Sequence, residues 1–286
     1  MDLRLPIAAI TDEFSPDLEV AARAMAGIGM TGAELRVLWG KNVMDLSDAE
    51  LNRAKGILDS HGLAVIGIAS PLLKCVLPDS PSLDQRFEHD VFASTHTYED
   101  QPRLMRRAAE IAHKMGTSLI RVFSFWRTMN PSACGGRVAE LLRGFAEEAA
   151  REGLILGLEN EHACQAGTAR EVAEILRAVR HPALRVVWDP ANAYVAGENA
   201  FPDGFDLLPA GSVVHIHAKD CRLKGGQPHW MPLGTGALDW KGQLIALAES
   251  GYKGCVSLET HWAGPGGDKF QGSTICGWNL RGLVSW

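Results

Sequence analysis

Short apolar, β-branched runs alternate along the chain with longer stretches in which apolar residues recur every three or four positions. The first kind suits strands buried on both faces, the second amphipathic helices laid against them. Strands are predicted at 5–10, 31–37, 63–69, 118–124, 153–159, 184–189, 212–218 and 254–259. Helices are predicted at 16–28, 47–61, 98–115, 136–152, 168–179 and 239–250. Strands followed in turn by helical sequence argue for an α/β fold of the (β/α)8 TIM-barrel kind, with residues 1–286 forming one domain.

The boundaries have chemical reasons. Ser47 with Glu50, and Thr168 with Glu171, have the spacing of a capping box, in which hydroxyl and carboxylate each satisfy a backbone N–H at a helix start. Gly29, Gly62, Gly116, Gly153 and Gly251 stand where a left-handed residue would end a helix before the next strand. Two connections are long. Residues 70–95 carry three prolines and are expected to cover the barrel mouth, with room for a short helix of their own. Residues 219–238, rich in glycine, are expected to loop over the site. LGTGALDW at 233–240 has no P-loop lysine, so a turn into the helix near Asp239 is expected rather than a phosphate cradle.

Four of the predicted strands end in a side chain that can bind a cation: Glu159 after GLILGL, Asp189 after LRVVW, His217 in VVHIH and Glu259 after GCVSL. They recur roughly 30–40 residues apart, the length of a strand–helix unit. In a barrel such ends share one rim, so three carboxylates and an imidazole would converge. That cluster repels itself unless a divalent cation compensates it, which predicts a mixed oxygen and nitrogen metal site. His215 lies on the same strand face as His217 but deeper, and is expected in the layer beneath.

Composition narrows the partners. With 46% hydrophobic residues the chain can bury a large core. A net charge of −6 and a pI near 5.9 give no basic footprint for nucleic acid. No apolar run approaches the roughly 20 residues of a membrane span, and the start MDLRLPIAAI does not read as a signal peptide, so a cytoplasmic location is expected. The six cysteines form no CxxC pair and are expected to be buried thiols, Cys221 included. A homo-oligomer stays open.

GLEN at 157–160, WDPANAY at 188–194, HIHAKD at 215–220, LGTGALDW at 233–240 and GYKGCVSLE at 251–259 occur in an order that resembles the sugar phosphate isomerase/epimerase-like TIM barrels, relatives of xylose isomerase and endonuclease IV. The resemblance implies one divalent ion, Mn2+, Mg2+, Co2+ or Zn2+, on Glu159, Asp189, His217 and Glu259, and a small sugar or sugar phosphate as substrate. It also marks Glu34, Arg36 and Arg121 as inner-rim residues, with Glu34 and Arg121 expected to bind substrate, and Asn192 as a substrate contact. Among nearby residues, His162 could meet substrate hydroxyls, and Arg222 could offer a forked cation. Trp126, like Trp39 and Trp230, could stack on a sugar ring, while His261 and Trp262 could form pocket wall.

The expected reaction is isomerisation or epimerisation through an enediolate, with Glu159 and Glu259 as the proton-transfer pair and Asp189 and His217 holding the ion. A dehydratase or lyase acting on a keto-inositol or 3-keto-sugar is the principal alternative. Behind it stand an endonuclease IV-like phosphodiesterase and a sugar-binding subunit without catalysis.

Overall fold

A computed structural model describes residues 5–87, 89 and 95–285. Its centre is a closed barrel of β1 (Ile7–Ile10), β2 (Gly32–Leu35), β3 (Ala64–Ile68), β4 (Leu119–Val122), β5 (Ile155–Glu159), β6 (Leu184–Trp188), β7 (Val213–Ala218) and β8 (Val256–Leu258). Each strand pairs in parallel with its sequence neighbours, and β8 closes on β1. The expected (β/α)8 barrel is therefore present. All eight strands begin or end within a few residues of the predicted bounds.

Close strand packing explains one glycine. A Cβ on Gly157 would lie 2.6 Å from Val187 Cγ2 on the adjacent strand, so only glycine fits without displacement. Outside the barrel, helices such as Gln101–Met115 and Ala169–Val179 bury one apolar face against the strands. Both capping boxes form.

The helix expected at 136–152 runs instead over Pro131–Arg151. Pro131 is suited to the first turn, where its missing N–H goes unnoticed, and the interior Gly135 and Gly136 obscured that start. Two helices lacked a clear pattern, Pro190–Val195 and Lys269–Val284. The latter buries small residues, Gly272, Ser273, Cys276 and Gly277, before Leu280 and Val284, so most of its inner face carries no apolar stripe.

The segment expected as a loop over the site is an antiparallel hairpin, Asp220–Lys224 paired with Gln227–Met231. Gly225 and Gly226 form its two-residue turn with φ of 61° and 79°, the backbone that a tight hairpin with strand twist requires. After it, LGTGALDW wraps the Asp220 carboxylate, which accepts the N–H groups of Gly234, Gly236 and Leu238. Asp239 then caps the helix Trp240–Glu249 through Gly242 N–H, as the turn reading expected. In the other long connection, Arg86 and Phe87 reach the mouth of the barrel. It forms no helix among its described residues, and 88 and 90–94 lie outside them.

No described helix is long and apolar enough to cross a membrane. All six cysteines are free thiols, and burial pushes the Cys221 thiol up to about 12, which leaves it inert.

Candidate metal centre and cavity

Glu159 ends β5, Asp189 follows β6, His217 lies near the end of β7 and Glu259 follows β8. One ligand atom from each lies within 4.8 Å of the others, and all four side chains are buried. Neighbouring strand ends are tied together to hold this arrangement. Asn160 donates to the Asp189 carbonyl at 2.7 Å and accepts the Asp189 N–H at 2.8 Å, locking the end of β5 to that of β6.

Each cluster residue has one atom held from outside. Asp189 Oδ1 accepts the Asn192 N–H at 2.9 Å as the cap of the short helix. Glu159 Oε2 accepts from Arg121 at 3.2 Å, and Glu259 Oε1 from Arg36 at 3.1 Å. His217 Nε2 lies 3.0 Å from Glu34 Oε2. The atoms left facing one another are Glu159 Oε1, Asp189 Oδ2, Glu259 Oε2 and His217 Nδ1. In metal sites, such outer partners orient the ligands and tune their basicity.

The electrostatics agree with a site that calls for a cation. Burial above all pushes the Asp189 carboxyl up to about 7, reinforced by Glu259 and Glu159 and opposed by Lys219 and His217. Burial also works against ionisation of Glu259, yet Lys219 and His217 hold its carboxyl well below the usual range. For His217, burial is outweighed by Glu34, Glu159 and Glu259, which raise the imidazole well above its ordinary value. Asp189 Oδ2 is buried without a well-aligned hydrogen bond, although Lys219 Nζ lies 2.7 Å away. Three carboxylates, one imidazole and an under-satisfied inward oxygen fit a hard or borderline divalent cation. A second cluster, Glu34, His215 and His217, shares His217 with the first. There His215 Nε2 and Ser257 Oγ each meet Glu34 Oε2 at 3.0 Å, which puts His215 in the expected lower layer.

Above the centre opens a cavity of about 660 Å³, lined by Lys74, Arg121, Glu161, His162, Trp230, Glu259 and His261 among others. Trp230 and His261 stack with ring centres 4.5 Å apart. Burial, seconded by Lys219, lowers the His261 imidazole to about 3, so it is neutral near pH 7. Burial opposes ionisation of Glu161, but Lys74 and His162 lower its carboxyl to about 2.

Of the residues expected to touch substrate, His162 and Arg121 line this cavity. Glu34 does not; it is committed beneath the centre to His215, His217 and Ser257. Asn192 is buried, donating to the Asn160 carbonyl at 2.9 Å and lying 3.4 Å from Glu159 Oε1. Trp126 packs in a small apolar cluster with Phe123, Ala163 and Cys164, while Trp230 takes the cavity wall. Arg222 is exposed on the hairpin and donates to the Thr235 carbonyl at 2.9 Å, outside the cavity lining. Glu34, Asn192, Trp126 and Arg222 thus stand outside the residues that line the cavity.

Lys219 was not anticipated. Its ammonium lies 2.6 Å from Glu259 Oε2, buried within the centre. Strand alternation could have located it, since residues 215, 217 and 219 share a face. Lys74, 3.5 Å from Glu161 in the cavity wall, was hidden inside an irregular connection.

Residues 22–274 match the model of a family described as xylose isomerase-like TIM barrel. Among solved structures, D-psicose 3-epimerase from Clostridium cellulolyticum H10, determined with D-tagatose, superposes with a TM-score of 0.71 at 16% identity over 99% of this chain and 100% of that one. A xylose isomerase-like TIM barrel protein from Mycobacterium smegmatis in complex with magnesium gives 0.69 at 16% identity over 98% and 95%. A probable 3-DHS dehydratase from Bacillus anthracis, involved in petrobactin synthesis, gives 0.71 at 17% identity over 95% and 97%.

Proposed function

The chain belongs to the xylose isomerase-like TIM barrel family, and from that premise we propose that it is a divalent-metal-dependent isomerase or epimerase of a ketose-like sugar, sugar phosphate or sugar derivative. The observation that carries the reading is the convergence of Glu159, Asp189, His217 and Glu259, of which Glu259 also lines the cavity. The D-tagatose and magnesium of the two similar structures support it by analogy.

A divalent cation held by these four residues would stabilise the negative charge that develops on substrate oxygen as a neighbouring carbon loses its proton. Asp189 and His217 hold, with Asn192 and Glu34 fixing the atom of each that faces the centre. Glu259, held at Oε1 by Arg36, is assigned removal of the carbon-bound proton. Glu159, three strands round the barrel and braced by Arg121, is assigned the proton on the other side of the substrate. Trp230 and His261 give the sugar an apolar wall, and Lys74, Arg121 and His162 give its hydroxyl or phosphate oxygens donors.

The test is incubation of Mn2+-loaded protein with a panel of ketoses, ketose phosphates and 3-keto-sugars in D2O. Deuterium should enter the carbon beside the carbonyl, accompanied by a new isomer or epimer. Exchange accompanied by loss of water or of an aglycone would assign the lyase reaction instead. Binding without any exchange across the panel would refute the enzymatic reading.

A further inference from the structure

Two of the four inward-facing atoms of the centre are already met by a cation belonging to the chain itself. Lys219 Nζ lies 2.6 Å from Glu259 Oε2 and 2.7 Å from Asp189 Oδ2, and the side chain is 3% exposed. These are the oxygens a metal would need. Asp189 Oδ1 is taken by the Asn192 N–H, and Glu259 Oε1 by Arg36. A divalent ion binds carboxylate oxygens at roughly 2.0–2.6 Å. An ammonium crowding the same two oxygens would sit within a few ångströms of that ion, where two cations repel strongly in a buried setting.

We propose that Lys219 is a resident counter-cation of the centre, exchanged for the metal when the metal binds. In the metal-free chain it neutralises Asp189 and Glu259 and keeps the ligand cluster assembled. On metal binding it gives up those oxygens and turns toward the cavity, where Trp230 already lies 5.9 Å from its Nζ. The centre is then filled by exchange of one cation for another rather than by collapse of an open cluster. Metal affinity is set by the difference between the two, so Lys219 limits how tightly the ion is held. The inference rests on the metal reading proposed above.

Isothermal titration with Mn2+ and melting of the metal-free protein test it, using wild type, Lys219→Met and Lys219→Gln, with Lys74→Met as a control. The control removes an equal charge from the cavity wall, where Lys74 pairs with Glu161. Both Lys219 variants are expected to bind Mn2+ about 10-fold or more tightly than wild type, the scale on which neighbours of metal ligands act. Their metal-free melting temperature should fall, and saturating Mn2+ should restore it. Lys74→Met should change affinity by less than about 3-fold, on the scale of an unshared neighbour. Unchanged or weaker binding in the Lys219 variants overturns the proposal, as does equal tightening in the control. Absence of Mn2+ binding in wild type and every variant would instead overturn the metal reading itself.

Discussion

Replacing Arg121 by methionine tests whether the cluster is braced from outside. Arg121 is 4% exposed, donates to Glu159 Oε2 at 3.2 Å and to the Ala69 carbonyl at 3.1 Å, and lies over the Phe123 ring at 4.7 Å. Methionine keeps much of the buried stem volume but takes from Glu159 its guanidinium partner, leaving the His217 imidazole, 3.1 Å from Oε1, as its remaining counter-charge. Breaking a buried pair by removing one member costs roughly 3–5 kcal/mol where the remaining charge is left uncompensated, and with His217 still beside Glu159 the cost is expected at about the lower figure. For a chain of this size each kcal/mol moves the melting temperature by roughly 2–4 °C, so the metal-free variant should melt roughly 6–12 °C lower. Saturating Mn2+ should recover part of that loss by supplying a new partner for Glu159. Calorimetry or circular dichroism in chelator and in Mn2+ provides both numbers. A metal-free loss below about 1 kcal/mol would refute the bracing argument. A raised KM with unchanged melting would return Arg121 to the purely substrate-binding role that the family resemblance implies.

Chelation should lower stability: at a free ion concentration 100-fold above Kd, linkage contributes about 2.7 kcal/mol, and identical melting with and without Mn2+ would count against a metal site. Mn2+ affinity should rise with pH, because Asp189, pushed up to about 7, and His217, raised above its ordinary 6.5, must both lose protons to become ligands. A flat affinity between about pH 6 and pH 8.5 in calorimetric titrations would contradict those assignments. In the metal-free protein the raised His217 contributes stability that is complete below about pH 6.5 and is lost as pH climbs through its folded value, so denaturation midpoints should decline on the alkaline side. Glu159→Gln and Glu259→Gln should each retain some metal yet lose ~10²- to 10⁴-fold in turnover. Near wild-type turnover in both, with metal content confirmed, would leave the two glutamates as ligands only.

Much of the barrel was legible because strand alternation with helices is a long-range pattern that survives local irregularity. Capping boxes at Ser47 and Thr168 located two helix starts from side-chain chemistry alone. The misses have a common physical origin. Helix Lys269–Val284 packs by close approach of glycines: a Cβ on Gly277 would meet Ile28 Cδ1 at 2.8 Å, so its buried face carries little hydrophobic signal. The hairpin at 220–231 was hidden because the glycines that make its turn also resemble a loop, although alternating residues flank Gly225–Gly226.

At the site, convergence of the four candidate ligands was readable from their strand ends, whereas their partners were not, because partnership is decided across strands far apart in sequence. Glu34 and His217 are 183 residues apart, and Arg36 and Glu259 223 apart, yet each pair fixes which atom faces the centre. The same distance misdirected the expectation for Arg222. A position five residues beyond His217 suggested nearness to substrate, but the hairpin pairs Arg222 with His229 and sends its guanidinium to Thr235. Lys219 is the contrary case, local enough to be derived. Period-two alternation after His215 and His217 places it inward, and an inward lysine at a carboxylate rim has few destinations in a water-poor barrel other than those carboxylates. Its contact with Asp189 and Glu259 is thus the expected end of the HIHAK pattern, and it makes the chain's own ammonium the first competitor of any metal drawn to the centre.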